Sequence, residues 1–181
     1  MMAIHLSAMN ALFVLSHFLL ALFVQSPQYD RAGKEPKPQP TVYIFLNTEC
    51  PVCQQYTPRL ADLYRRFRKS DVRFVGVYPL RTDLPQTIRQ FHKLYQLPFA
   101  GQADPGARLA RYFRAHVTPE VVLMAADGTV SYQGAIDDWY VSLGKHRPSP
   151  TQHFLRDALD ALLAGQPVAV PRTDAVGCLI E

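Results

Sequence analysis

The sequence predicts a three-layer α/β domain, a mixed central sheet between helices. Three observations carry this. Short β-branched or aromatic runs alternate with segments whose apolar residues recur at three- and four-residue steps. The first such run feeds directly into a helix at Cys50-Pro51-Val52-Cys53, and Asp127-Gly128 joins two later runs as a hairpin. Strands and helices in the order βαβα then αββα give a sheet with helices on both faces.

Thr41 to Leu46 reads as a buried strand by composition and ends at Asn47-Thr48-Glu49. Pro51 stands where a helix accepts proline without losing a hydrogen bond, and Val52, Tyr56, Leu60, Leu63, Tyr64 and Phe67 then mark one face. Val72 to Tyr78 is a second strand, and Asp83 to Tyr95 a second helix with Ile88, Phe91 and Tyr95 inward. After the Leu97-Pro98 break, Asp104 is expected to cap a helix with Pro105 first and Leu109, Tyr112 and Phe113 as its apolar contacts. Val121 to Ala125 and Thr129 to Gln133 flank the Asp127-Gly128 turn, where both residues tolerate positive φ. Thr151 to Ala164 closes the domain as a helix, with Phe154, Leu155, Ala158, Leu159 and Leu162 inward and Gly165 at its end. The segment Ala135 to Pro150, with the sole tryptophan Trp139, is an insertion before that helix; a structural role is the expectation, with packing of Trp139 beneath a substrate groove as the alternative.

Domain boundaries follow from composition. Residues Ala8 to Val24 are almost all apolar, with no Lys or Arg before Arg31, so residues 1–26 read as a signal peptide or a membrane anchor. Residues 27–40, with Pro27, Pro36, Pro38 and Pro40, read as a linker that neither helix nor sheet accepts. Residues 41–165 form the domain, and residues 166–181 a tail carrying Cys178. An exported protein is expected, periplasmic or anchored outside the cytoplasm. The 181 residues are 48% hydrophobic and 19% charged, an ordinary globular balance. The net charge of +4 is spread along the chain, and the run Arg65, Arg66, Arg68, Lys69 reads as the solvated end of a helix. No basic stripe interleaved with aromatics points to nucleic acid.

Three cysteines, Cys50, Cys53 and Cys178, are too few for a disulfide framework. The thiolate is the nucleophile in disulfide exchange, and a helix N-terminus favours it through unpaired N–H groups and the helix dipole. Cys50 falls at that junction and Cys53 one turn on, so the pair can cycle between dithiol and disulfide. A half zinc site lacks a second ligand pair, and a purely structural bridge across so short a loop stabilises little. Redox chemistry that needs no cofactor is the reading.

The CPVC centre at the strand–helix junction, Pro58 five residues after Cys53, and Val117-Thr118-Pro119 before the hairpin together resemble the thioredoxin superfamily. The resemblance covers Thr41 to about Ala164 and implies a thioredoxin-like fold with a cis proline at Pro119 facing Cys50 and Cys53. Within it, Glu49-Cys50-Pro51, Tyr132 to Asp138, Val170 to Thr173 and Val176-Gly177-Cys178 are similar to bacterial exported redoxin-domain proteins of the AhpC/TSA-like, thiol-disulfide oxidoreductase type. The resemblance implies protein thiols and disulfides as partners, with Thr118 and Pro119 binding the partner chain and a membrane reductant or oxidant as a further partner. Where peroxiredoxins carry threonine and proline this chain has Asn47 and Tyr43, so thiol peroxidase activity is only a third reading. Where thioredoxins place a buried aspartate it has Ile44, which leaves Glu49 and Glu120 as candidate proton acceptors.

Cys178 has two open readings, a resolving or relay partner for Cys50 and an unpaired thiol. His116 lies close in sequence to Thr118-Pro119, and with Cys50 and Cys53 it defines the alternative function, a soft site for copper delivery or other metal binding. His92, His146 and His153 have no partner at ligand spacing.

Overall fold

The computed structural model describes residues 38–181. The expected signal or anchor, and the linker up to Lys37, lie outside the described residues. Among the described residues no helix is long and apolar enough to cross a membrane.

Five strands form the central sheet: β1 (Thr41–Phe45), β2 (Arg73–Tyr78), β3 (Ala100–Ala103), β5 (Glu120–Met124) and β6 (Val130–Gly134), in the order β3-β2-β1-β5-β6. β1 and β2, and β2 and β3, run parallel, whereas β5 is antiparallel to both β1 and β6. The expected mixed α/β architecture is therefore present, and the fold is thioredoxin-like. Side-chain alternation along the strands divides the core. Val42, Ile44, Phe74, Tyr78, Val121, Leu123 and Tyr132 share one cluster with residues of helices α1 (Pro51–Phe67), α2 (Pro85–Leu94) and α4 (Phe154–Leu163). Phe45, Val75, Val77 and Val122 share the other with Ala110 and Phe113 of α3 (Arg108–Phe113).

Helix α1 buries Val52, Tyr56, Leu60 and Phe67 as their spacing predicts, and its Arg65 and Arg66 are exposed. Pro58 removes the N–H that would bond the Gln54 carbonyl, and the Thr57 hydroxyl donates to that carbonyl instead at 2.7 Å. The helix thus passes its proline with the freed acceptor satisfied.

Several elements differ from expectation. β3 was hidden because Ala100, Gly101 and Gln102 carry no β-branched or aromatic signature; its backbone pairing with β2 makes it a strand. Asp104 does cap a helix, its carboxylate accepting from Leu109 and Ala110 N–H, but residues 105–107 form a turn and the helix starts at Arg108. Tyr112, expected inward, is 76% exposed, because this short helix presents only one face to the sheet. At the hairpin only Gly128 takes positive φ; Asp127 instead accepts from the backbone N–H and the hydroxyl of Thr129. The second and last helices start at Pro85 and Phe154, later than expected.

Two small sheets have no counterpart in the sequence reading. β7 (Tyr140–Ser142) and β8 (Lys145–His146) form a hairpin within the insertion. β4 (Val117–Thr118) pairs antiparallel with β9 (Cys178–Leu179), so the tail returns to the body of the domain. The tail reaches it along β6: Gln133 N–H donates to Pro171 O and Thr173 N–H to Gln133 O. Glycine at 134, with φ 144°, permits the approach, because a Cβ there would overlap the Thr173 carbonyl.

Candidate redox site

Cys50 is the N-cap residue of α1, in extended conformation, with Pro51 beginning the helix. Asn47 shapes the turn into it, its side-chain oxygen accepting from Glu49 N–H at 2.8 Å. The Cys50 sulfur lies 3.3 Å from the Thr118 carbonyl oxygen, and the Thr118–Pro119 peptide bond is cis. Cys50, Thr118 and Pro119 therefore meet at one place, brought there by α1 and the β4–β5 connection.

The sulfur of Cys50 is bonded to that of Cys178, 128 positions away, with the two Cα atoms 6.2 Å apart. Cys53 is the free thiol and is fully buried. Of the two readings of Cys178, the structure presents the one in which the tail folds back onto Cys50; the physical cause is the β4–β9 pairing, which spacing within the sequence does not reveal.

Burial raises the Cys53 thiol to about 12; hydrogen bonding to the Asn47 backbone and the Thr118 side chain opposes this, and the Asp83 charge adds to it. Cys53 is a neutral thiol in this state. Asp83 itself is buried: one carboxylate oxygen accepts from both the N–H and the hydroxyl of Thr48, at 3.0 and 2.6 Å. The other has no hydrogen-bond partner, and burial holds the carboxyl above its usual range. Tyr78, raised first by burial and then by the charges of Cys53 and Asp83, hydrogen-bonds to His92 Nε2 at 2.8 Å. Cys53, Tyr78 and Asp83 thus form one electrostatically coupled group beneath the disulfide. Asp83 is the site residue that sequence reasoning passes over, because there it stands only as the first residue of the second helix. The only available hint was its place just after a buried strand.

Glu49 is exposed, and it acts on Asp83, not on Cys53. Glu120 is buried and engaged: its carboxylate accepts from the N–H groups of His116 and Val117 and from the Gln133 side chain. It shapes the loop that presents Thr118. Asp83 is the acid whose charge raises the Cys53 thiol. The His116 imidazole is exposed, while its carbonyl accepts from Ile180 N–H. Among the described residues no three His, Cys, Asp or Glu side chains gather as a metal site, so Cys50, Cys53 and His116 do not converge in this disulfide state.

Beside the site, Tyr56 of α1 donates to Asp137, whose carboxylate also accepts from Trp139 N–H and is 3.8 Å from Arg59. The Arg59 guanidinium stacks over the Trp139 ring at 4.4 Å. Trp139 packs edge-on against both Tyr56 and Tyr140. The insertion is thereby held against α1.

A sequence model of the AhpC/TSA family matches residues 29–133. Among curated proteins, the thiol-disulfide oxidoreductase ResA of Bacillus thuringiensis is 27% identical over 90 residues, 48% of this chain and 51% of the relative. The chain spans about half the length of the curated relatives it matches. Among solved structures, an uncharacterized conserved protein from Geobacillus kaustophilus superposes with a TM-score of 0.71 at 26% identity, covering 80% of this chain and 77% of that one. A hypothetical protein from Sinorhizobium meliloti gives 0.70 at 21% identity, over 84% and 87%, and shows the shared fold.

Proposed function

Because the chain belongs to the AhpC/TSA family, within the thioredoxin superfamily, we propose that it is a thiol-disulfide oxidoreductase acting on protein thiols and disulfides through Cys50 and Cys53. The observation that carries this is the disulfide at Cys50, on a helix N-terminus beside Thr118-Pro119, above a buried free thiol. The Cys50 thiolate, favoured by the helix N-terminus, attacks one sulfur of a partner disulfide. A Cys50–partner bond forms, the partner's sulfur–sulfur bond breaks, and the departing thiolate takes a proton from solvent. Thr118 and Pro119 hold the partner chain. The Cys53 thiol then passes its proton to the unpartnered oxygen of Asp83 and attacks the Cys50 sulfur, which expels the partner sulfur as a thiolate that takes a proton from solvent and leaves a Cys50–Cys53 disulfide. Cys178 is the resolving alternative to Cys53, its bond to Cys50 being the same exchange made with the protein's own tail. Run backwards, the steps oxidise a partner dithiol.

The apolar residues 8–24 support an exported or anchored location, where a membrane reductant or oxidant would reset the disulfide. Insulin reduction by a dithiol-coupled assay tests the reading. Cys50→Ser should abolish turnover, and Cys53→Ser combined with Cys178→Ser, which removes both resolving thiols, should trap mixed disulfides. Turnover at the wild-type rate with Cys50→Ser would overturn it.

A further inference from the structure

The last six residues occupy the place where a partner chain must lie for its cysteine to reach Cys50. Thr118 faces Cys178 and Val117 faces Leu179 across the antiparallel pair; Ile180 N–H donates to His116 O at 2.9 Å, and the Thr118 hydroxyl donates to Cys178 O at 3.4 Å. The tail is thus bound by main-chain pairing, as an extended peptide adds to a strand edge, and alternate side chains read its sequence.

Each position meets a different surface. Val176 is half-buried in a crevice with Tyr56, Pro119, Ile136 and Tyr140. Gly177 is buried, and a Cβ there would overlap the Thr118 carbonyl oxygen, so no other residue fits without moving the strand. Cys178 is bonded to Cys50. Leu179 is 68% exposed and meets no selective surface. Ile180 packs against the core cluster of Ala107, Ala110, Phe113 and Ala115. Beyond it, Glu181 shares a cleft of about 460 Å³ with Arg81, Arg111 and Arg114, a basic surround for an acidic residue.

We propose that this seat is a sequence-reading peptide site whose partners are extended cysteine segments of the pattern aliphatic-Gly-Cys-any-aliphatic-acidic, and that residues 176–181 are a tethered copy of such a partner. The inference rests on Cys50 being the reactive thiol, as proposed above. The Cys50–Cys178 bond is then the intramolecular form of the mixed disulfide. Attack by the Cys53 thiolate on the Cys50 sulfur forms Cys50–Cys53 and expels Cys178 as a thiolate, which takes up one proton. That exchange needs no outside oxidant or reductant, frees the β4 edge, and opens the seat to a partner.

The test uses full-length Cys178→Ser protein, reduced, and peptides spanning residues 174–181 whose cysteine carries a nitrothiobenzoate leaving group. Attack by Cys50 joins its sulfur to the peptide sulfur and releases the coloured nitrothiobenzoate anion, whose appearance gives the rate. Rates are divided by those of glutathione with the same peptides, which removes differences in intrinsic reactivity. The parent peptide should react at least about tenfold faster than its Gly177→Val and Ile180→Asp versions, a factor equal to about 1.4 kcal/mol of recognition. If all three peptides react within about twofold of one another while dithiobis(nitrobenzoate) titrates Cys50 readily, the seat does not read sequence and the inference falls, leaving the oxidoreductase reading intact. If Cys50 is inert to that reagent as well, the oxidoreductase reading itself falls and takes the inference with it.

Discussion

Replacing Cys178 with serine tests which disulfide the oxidised protein holds, because the two candidate bonds close loops of very different length. Cross-linking removes chain entropy from the unfolded state in proportion to the logarithm of the loop. For the observed separation of 128 residues the chain-entropy relation gives about 4.9 kcal/mol at 25 °C. A Cys50–Cys53 bond, spanning three residues, gives about 1.6 kcal/mol. Oxidised Cys178→Ser, left with only the short bond, should therefore be less stable than the oxidised wild type by about 3 kcal/mol. Loss of tail docking adds to this. Oxidised Cys53→Ser should keep the long bond and nearly all of the entropic gain. Urea unfolding of the three proteins, with reduced wild type as reference, measures these differences. Equal stability of oxidised wild type and Cys178→Ser, or a larger loss in Cys53→Ser than in Cys178→Ser, would refute the assignment of the long disulfide.

Other outcomes follow from the buried groups. The Cys53 thiol is raised from 9.0 to about 12, so between those values the unfolded chain releases a proton that the folded chain keeps. Stability should consequently fall as pH rises through that window, by about 1.4 kcal/mol per unit from this group, and Cys53→Ser should flatten the alkaline limb of a urea-midpoint profile. Asp83→Asn keeps an oxygen for both Thr48 donors and removes a charge that raises Cys53, so alkylation of Cys53 in reduced protein should set in at lower pH than in wild type; an unchanged profile would show that the two groups do not communicate. Glu120→Ala strands the buried Gln133 amide and the His116 N–H, and a loss of about 2–4 kcal/mol is expected in thermal or urea unfolding, with Glu120→Gln losing less. Thr173→Val removes the hydroxyl shared by Tyr132 and the Ala135 N–H; tail residues near 173 should exchange amide hydrogens faster, while β1 and β2 exchange as before.

The sequence by itself determined the local setting of the proposed redox centre. Cys50 at a strand–helix junction, Cys53 one turn on, Pro58 in the helix and Thr118-Pro119 before the hairpin are local features, set by spacing, proline chemistry and apolar periodicity, and all are legible within a few residues of themselves. The same local signals marked β1, β2, the apolar face of α1 and the paired strands β5 and β6. Where those signals were weak, local reading failed. Ala100–Ala103 is a strand only because β2 offers it an edge, and Tyr112 points outward only because a short helix has one face to bury.

Tertiary structure alone decided which sulfur Cys50 meets, which acid lies near Cys53, and what the tail does. Asp83 is far from Cys53 in sequence and near it in space because the turn after β2 ends beside the start of α1, where Thr48 fixes it. Glu120, a carboxylate close to Pro119, is consumed by two N–H donors of its own loop and by the Gln133 side chain of β6. Cys178 reaches Cys50 through main-chain pairing with β4, and backbone N–H and C=O groups are common to all residues, so such pairing leaves almost no mark on side-chain identity. Its traces are Gly134 and Gly177, glycines required where one backbone presses against another, and that requirement exists only once the chain has folded.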